Sequence, residues 1–332
     1  MDSIWSRDGV PEVKHFSIAI FFAIFFIAAH FFLDAFLFQK FAKWLLSDGI
    51  VPLKMTKSIK RKVAKCSESM WKLTYYGTVQ ACLLTVIYHE PWSRDINQYF
   101  KGWPNQELKS KKRRLLDGNC VSCRLYLLSL MMSNVAYIGM LQISGRKYTF
   151  SGIRLPFTLL YMCQCGFYLY SIAALLTWET RRKDFSIMMS HHIVTVFLIG
   201  FSYFTSFFRI GLIVVALHDA CDVFMEAAKV FKYSENEFAA SVIFGFFAVS
   251  WVILRLVFFP FWVIRCSSYN LIEVLKLSEA YHTFLYYFFN TMLLTLLNFH
   301  IYWWILIYSM IRRQLKNRGK VGEDIRSDSD DD

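Results

Sequence analysis

Apolar residues in this chain gather into long runs instead of alternating with polar ones. Runs lie near residues 16–38, 71–88, 155–178, 187–208, 210–228, 238–264 and 281–311. Each approaches the roughly 20 residues that a helix needs to cross a hydrocarbon core. Such runs in series predict an all-α integral membrane protein, a bundle of about seven transmembrane helices. The first run contains His30 and Asp34 and lacks a small-residue cleavage site, so it reads as a retained span and not a signal peptide. An eighth run, 125–143, is uncharged and long enough, but the charges elsewhere argue against its spanning.

Those charges set the orientation. Lys40, Lys43, Lys54, Lys57, Lys60, Arg61, Lys62 and Lys65 follow the first span. If that loop is cytosolic the N-terminus is lumenal, and with seven spans the Arg181–Arg182–Lys183 loop, the Lys229/Lys232 loop and the basic start of the tail are cytosolic too. Were 125–143 to span, every later loop would invert against this bias. The expected organisation is an N-terminal helix and basic loop over 1–65, a membrane domain over 66–312, and a tail over 313–332. From Lys316 the tail is polar and cannot build a core, so it is expected to be disordered. Ser327 and Ser329 each precede an acidic residue by three positions and are phosphorylation candidates.

Composition agrees: 56% of residues are hydrophobic and 18% aromatic, beyond soluble proportions. A net charge of +12 does not mark a nucleic-acid binder, because the basic residues sit between the apolar runs. Eight cysteines show no framework spacing and read as reduced, small hydrophobes; Cys120 and Cys123 form a lone CxxC without a second pair.

Ionisable groups inside a bilayer are costly and need a reason. His191 and His192 open the span that leaves the Arg181–Lys183 loop, about one turn below the surface at about 1.5 Å per residue. Asp219 and Asp222 are three apart and share one face of the next helix. Counting back from Ala228 puts them about 13 and about 9 Å from its cytosolic end. Four such groups at matched depth suit acyl transfer. An imidazole can act as nucleophile or general base, and a carboxylate can orient it and take up the proton that an amine must lose. The competing reading is a polar network that only ties helices together. His218 is expected to point elsewhere. Arg255, Asn290, Asn298 and His300 either line a substrate tunnel or bond helix to helix, while Trp303 and Trp304 read as packing and His15, His30, His89 and His282 as interfacial or structural. No metal is expected: two irons need several histidine boxes, and this chain has one adjacent pair.

The stretch 188–195 (Met-Met-Ser-His-His-Ile-Val-Thr), continuing through 206–211 and 217–229 (Leu-His-Asp-Ala-Cys-Asp-Val-Phe-Met-Glu-Ala-Ala-Lys), resembles the Lag motif of ceramide synthases in the TLC superfamily. Residues 88–92, 102–106, 178–184 and 316–326 resemble the plant members. The resemblance implies a sphingoid-base N-acyltransferase of the endoplasmic reticulum membrane, with acyl-CoA as co-substrate and no cofactor. Its partners would be a long-chain base, membrane lipids and, as a homo- or hetero-dimer, another synthase chain. It maps the paired His and Asp onto His191, His192, Asp219 and Asp222, and favours His191 as acyl acceptor. A departure is the segment 111–155, which family members replace by a handful of residues; it reads as retained coding sequence or as an apolar hairpin against the bundle. The rival function is a non-catalytic TLC protein that senses or moves lipid, which would not need both pairs.

Overall fold

A computed structural model describes residues 13–47, 56–89, 91–103, 155–179, 181–275 and 277–316. The run 125–143, the Cys120/Cys123 pair, Ser327, Ser329 and most of segment 111–155 and of the tail lie outside these residues. Seven long helices occupy the described chain: α1 (Phe16–Leu45), α2 (Lys57–His89), α3 (Leu155–Thr177), α4 (Phe185–Phe204), α5 (Phe208–Tyr233), α6 (Glu237–Val274) and α7 (Ala280–Lys316). By length and composition five of them, α1, α3, α4, α6 and α7, are apolar enough to cross a membrane. The other two fall short because α2 opens on a basic stretch and α5 carries Asp219, Asp222, Glu226, Lys229 and Lys232. Each helix except α3 overruns its apolar run at one end or both, because a helix satisfies its own backbone in water as well as in lipid.

Helix neighbours run α1–α3–α4–α7–α6–α5–α2, and the second half of α1 closes the circuit onto α2. The α1–α3 contact is close because Gly166 faces the α1 backbone: a Cβ there would sit 2.6 Å from the Ala19 carbonyl oxygen. Small residues of this kind let helices pack in lipid, where no hydrophobic drive pulls them together. The reversal between α4 and α5 takes three residues. Ser206 adopts φ 62°, and the Phe207 amide closes back on the Ser202 carbonyl at 2.8 Å, so α5 returns antiparallel beside α4. A left-handed residue followed by such a bond is a common way for a helix to end. Glu235 does the same at the end of α5 with φ 61°, and Asn236 then caps α6 by accepting from the Ala239 amide at 3.1 Å. The cap satisfies an amide that the first turn leaves open.

At one end of the bundle, Lys62 pairs with Glu235 at 2.7 Å and Lys72 bridges Glu68 and Glu179 at 2.8 and 2.9 Å. At the other end, residues 91–103 are tied to the α4–α5 turn and to α6. Trp103 Nε1 donates to the Thr205 carbonyl at 2.7 Å, Arg209 donates to the Gln98 carbonyl at 2.6 Å, and Trp262 Nε1 donates to the Tyr99 hydroxyl at 3.1 Å. His15 and His30 meet Tyr203 and Tyr170 hydroxyls at 2.6 and 2.9 Å, the structural use expected of them. Cys66, Cys163, Cys165 and Cys221 carry free thiols.

Among the described residues two stretches wind more widely than an α-helix. Asp34–Phe38 in α1 is a π-turn, where Asp34 accepts from Gln39 at 2.7 Å and from the Ser67 hydroxyl. Single π-turns of this kind interrupt many α-helices. Trp251–Ile264 in α6 is π throughout and contains Pro260, whose missing amide breaks the α ladder. Arg255 projects from that stretch into the bundle, buried.

Candidate active site

An apolar cavity lies within the circuit. Tyr168 of α3, Thr195 and Ile199 of α4, Val214 and His218 of α5, and Leu293 and Leu296 of α7 form its walls, and Phe100 and Phe207 lie toward the end held by residues 91–103. At the opposite end stands the histidine pair. His191 lies one turn before Thr195 on the same face of α4, so it is in register with the cavity wall. The Thr195 hydroxyl donates to the His191 carbonyl at 2.8 Å. The next residue, His192, turns toward α3, its ring 5.6 Å from that of Tyr168. The Nδ1 atoms of both imidazoles are buried without a hydrogen-bond partner among the described residues. A buried polar atom left unpaired is costly and is found where a ligand or reaction uses it.

The carboxylates divide the work. Asp219 is fully buried; Oδ2 accepts from Gln164 Nε2 at 2.5 Å and Oδ1 from the Tyr168 hydroxyl at 3.3 Å. Gln164 is itself held, its Oε1 accepting from the Tyr75 hydroxyl at 2.6 Å. Asp222 instead forms an ion pair with Arg255, whose Nη2 lies 3.0 Å from each carboxylate oxygen. The same Nη2 donates to the His218 carbonyl at 2.6 Å, and the guanidinium lies over Trp251 at 4.1 Å. A cation over an indole face is drawn to the ring quadrupole. Neither carboxylate hydrogen-bonds directly to His191 or His192. The link runs through Tyr168, which touches Asp219 with its hydroxyl and His192 with its ring.

His218 does not point away from the site as its position beside Asp219 suggests. Its ring lines the cavity and lies 6.2 Å from that of His191. Its nitrogens are both occupied. Nδ1 lies 2.7 Å from the Val214 carbonyl. A carbonyl can only accept, so Nδ1 carries the proton. Nε2 is then the acceptor from His300 Nε2 at 2.8 Å. The bond made by one ring nitrogen thus fixes the role of the other. His300 is therefore a tie between α7 and α5. Asn290 is likewise a tie, accepting from Ser267 and Ser268 at 2.9 and 3.0 Å and donating to the Tyr286 carbonyl at 2.9 Å. Of the two roles open to Arg255, Asn290 and His300, all three make helix-to-helix bonds. Trp303 does more than pack: its ring meets His191 edge-on at 5.1 Å while its Nε1 donates to Asp184 at 3.0 Å, pinning the start of α4. Among the described residues no group of three or more His, Cys, Asp or Glu is placed to hold a metal.

The model of the TLC domain matches residues 117–309. The chain belongs to the TLC-domain family. Its match begins inside segment 111–155 and contains both the histidine and the aspartate pair. Within the family it is similar to ceramide synthase LOH2 of Arabidopsis thaliana, at 53% identity over 100% of this chain and 99% of the relative. It is similar to ASC1-like protein 3 of Oryza sativa subsp. japonica at 50% identity, over 97% of this chain and 98% of the relative. Mouse ceramide synthase 4 is 32% identical over 71% of this chain and 59% of its own length. With its five apolar, membrane-length helices, this TLC protein is a multi-pass membrane protein.

Proposed function

We propose that the chain is a ceramide synthase, transferring a fatty acyl group from acyl-CoA to the amine of a sphingoid base such as sphinganine or phytosphingosine. The observation that carries the reading is the His191 imidazole, whose buried Nδ1 has no hydrogen-bond partner among the described residues and which stands in register with the wall of an apolar cavity. A thioester carbon at the mouth is attacked by the imidazole nitrogen; the C–S bond breaks and CoA leaves as the thiol, taking the imidazole proton. The cavity shelters hydrocarbon. About eight residues of α5, from Ile210 to His218, give it a length of about 12 Å at about 1.5 Å per residue. The amine nitrogen then attacks the acyl carbon, the acyl–imidazole bond breaks, and the imidazole regains a proton from the nitrogen. Beforehand the ammonium must shed one proton, and Asp219, which has no cation of its own among the described residues, is the acceptor. Asp222, neutralised by Arg255, sets the position of α5 against α6.

Two further features follow from the charges and the resemblance. The basic loops favour a lumenal N-terminus and a cytosolic tail, and the resemblance favours the endoplasmic reticulum; the histidine pair would then face the compartment that holds acyl-CoA. Microsomes containing the chain, supplied with sphinganine and acyl-CoAs of graded length, are expected to form the amide, and His191→Ala and His192→Ala to abolish it at normal abundance. Absence of amide with every acyl-CoA would overturn the reading; full turnover by both variants would remove the pair from the chemistry.

A further inference from the structure

We propose that Tyr168 is a further catalytic residue, carrying the proton of the substrate ammonium from the cavity to Asp219. The inference rests on the N-acyltransferase reading and deepens it. Tyr168 is buried on α3 and lines the cavity, and its hydroxyl reaches Asp219. The other polar side chains of the lining turn their donors into the helices. Thr195 donates to the His191 carbonyl at 2.8 Å and Ser202 to the Ile199 carbonyl at 3.1 Å, while the Ser267 hydroxyl is shared between the Ile264 carbonyl at 3.0 Å and Asn290 Oδ1 at 2.9 Å. Both nitrogens of His218 are taken. Among the described lining residues, only the Tyr168 hydroxyl bonds a carboxylate.

Asp219 has no direct outlet to the cavity, since it is fully buried and absent from the lining. Its Oδ2 is clamped by Gln164 at 2.5 Å, and Gln164 by Tyr75 at 2.6 Å, so the carboxylate is held with Oδ1 toward Tyr168. Oδ1 and the hydroxyl are 3.3 Å apart. That is long for an O–H···O bond, as in a free enzyme whose catalytic contacts tighten around substrate. In the step, an ammonium N–H points at the phenolic oxygen. As that N–H bond breaks and an O–H forms on Tyr168, the original phenol O–H breaks and a new O–H forms on Asp219. The products are a neutral amine with its lone pair free, an unchanged tyrosine and a protonated carboxyl. After the amide leaves, Asp219 gives the proton back through the same hydroxyl to water entering the emptied site, which resets the carboxylate. The groups facing Tyr168 are Asp219 and Asp222 from α5, Tyr75 and Tyr76 from α2, His192 from α4 and Arg255 from α6. Arg255 is committed to Asp222, which leaves Asp219 as the unpaired carboxylate beside the hydroxyl.

Tyr168→Phe keeps the ring and its contacts and removes the relay. General acid–base transfer contributes about 10²–10⁴-fold, so amide formation at pH 7 is expected to fall about 100-fold. Release of CoA thiol in the absence of amine, which reports acylation of the enzyme, is expected to stay at the parent level. As pH is raised from 7 to 9 more of the base arrives unprotonated, and the deficit is expected to shrink to about tenfold or less. Parent-level turnover at pH 7, or an equal deficit at pH 7 and pH 9, overturns the proposal. A fluorinated tyrosine at position 168 keeps packing and fold while making the phenol more acidic; it is expected to displace the pH profile of amide formation, and an unmoved profile overturns the proposal as well. A parent protein that forms no amide refutes the enzyme reading itself; an active parent whose variants behave like it refutes only the relay.

Discussion

Replacing Arg255 by methionine isolates what the buried ion pair contributes. Arg255 and Asp222 side chains are 4% and 15% exposed, so removing the guanidinium strands a carboxylate in a nearly dry site. A charge left in this way costs about 3–5 kcal/mol. Losing the stack on Trp251 adds about 0.5–2 kcal/mol. At about 2.1 cal/mol/K of unfolding entropy per residue, each kcal/mol moves the melting midpoint of a 332-residue chain by about 1.4 °C, so the stranded carboxylate alone lowers it by about 4–7 °C. Adding Asp222→Leu removes the stranded charge. The double variant is then expected within about 1–2 kcal/mol of the parent, since an apolar pair of similar volume replaces an ion pair at little cost. The measurement is the unfolding midpoint of detergent-solubilised protein for the parent, both single variants and the double, read as a cycle. Amide formation by the same samples tests function separately: the double variant regains stability and not turnover if Asp222 is needed as a carboxylate. A double variant as unstable as Arg255→Met would show that Arg255 contributes something other than the pair, and would refute the stabilising role drawn from its geometry.

Asp219→Asn is expected to cut turnover by about 10²-fold or more with little change in KM, because the carboxylate acts on proton removal and not on hydrocarbon binding; a change confined to KM would make it a binding element. Gly166→Ala is expected to cost about 1–3 kcal/mol, since the new methyl meets backbone of α1 that cannot rotate away, and an unchanged midpoint would show that α1 is free to shift. Glycosylation acceptors at the two ends of the chain are expected to be modified at the N-terminus and not at the tail. Removing residues 111–155 is expected to leave this pattern and the amide-forming activity at least as strong, and a glycosylated tail in the intact chain would show that 125–143 spans.

The helices are legible in the sequence because an apolar run has only one way to satisfy its backbone in lipid. Residues 187–208, expected as a span, form Phe185–Phe204; residues 281–311 form the middle of Ala280–Lys316. The extensions into water are not legible, since charged residues such as Lys57 and Lys232 continue a helix without marking where the bilayer stops. The histidine and aspartate pairs stand out because ionisable groups in apolar runs are expensive. Tyr168 and Gln164 carry no such signal: tyrosine and glutamine in a membrane helix are ordinary, and only the packing of α3 on α5 brings them to Asp219. His218 escapes the sequence for a related reason. One residue along a helix is a turn of about 100°, which takes it off the face of Asp219. The circuit of helices puts the cavity on that side too.

The string Tyr75–Gln164–Asp219 passes through three helices, α2, α3 and α5, before it reaches the reacting groups. Each member answers a hydrogen-bonding need of the next, so their substitutions are epistatic. Tyr75→Phe alone frees the Gln164 amide to rotate, and a rotated amide presents oxygen, not nitrogen, to the carboxylate. Once Gln164 has been replaced by leucine, the same change at Tyr75 has little left to disturb. A residue of α2 outside the cavity lining thereby acquires a kinetic phenotype that depends on the genotype of α3, and variation in such chains should be tolerated in sets of positions and not one site at a time.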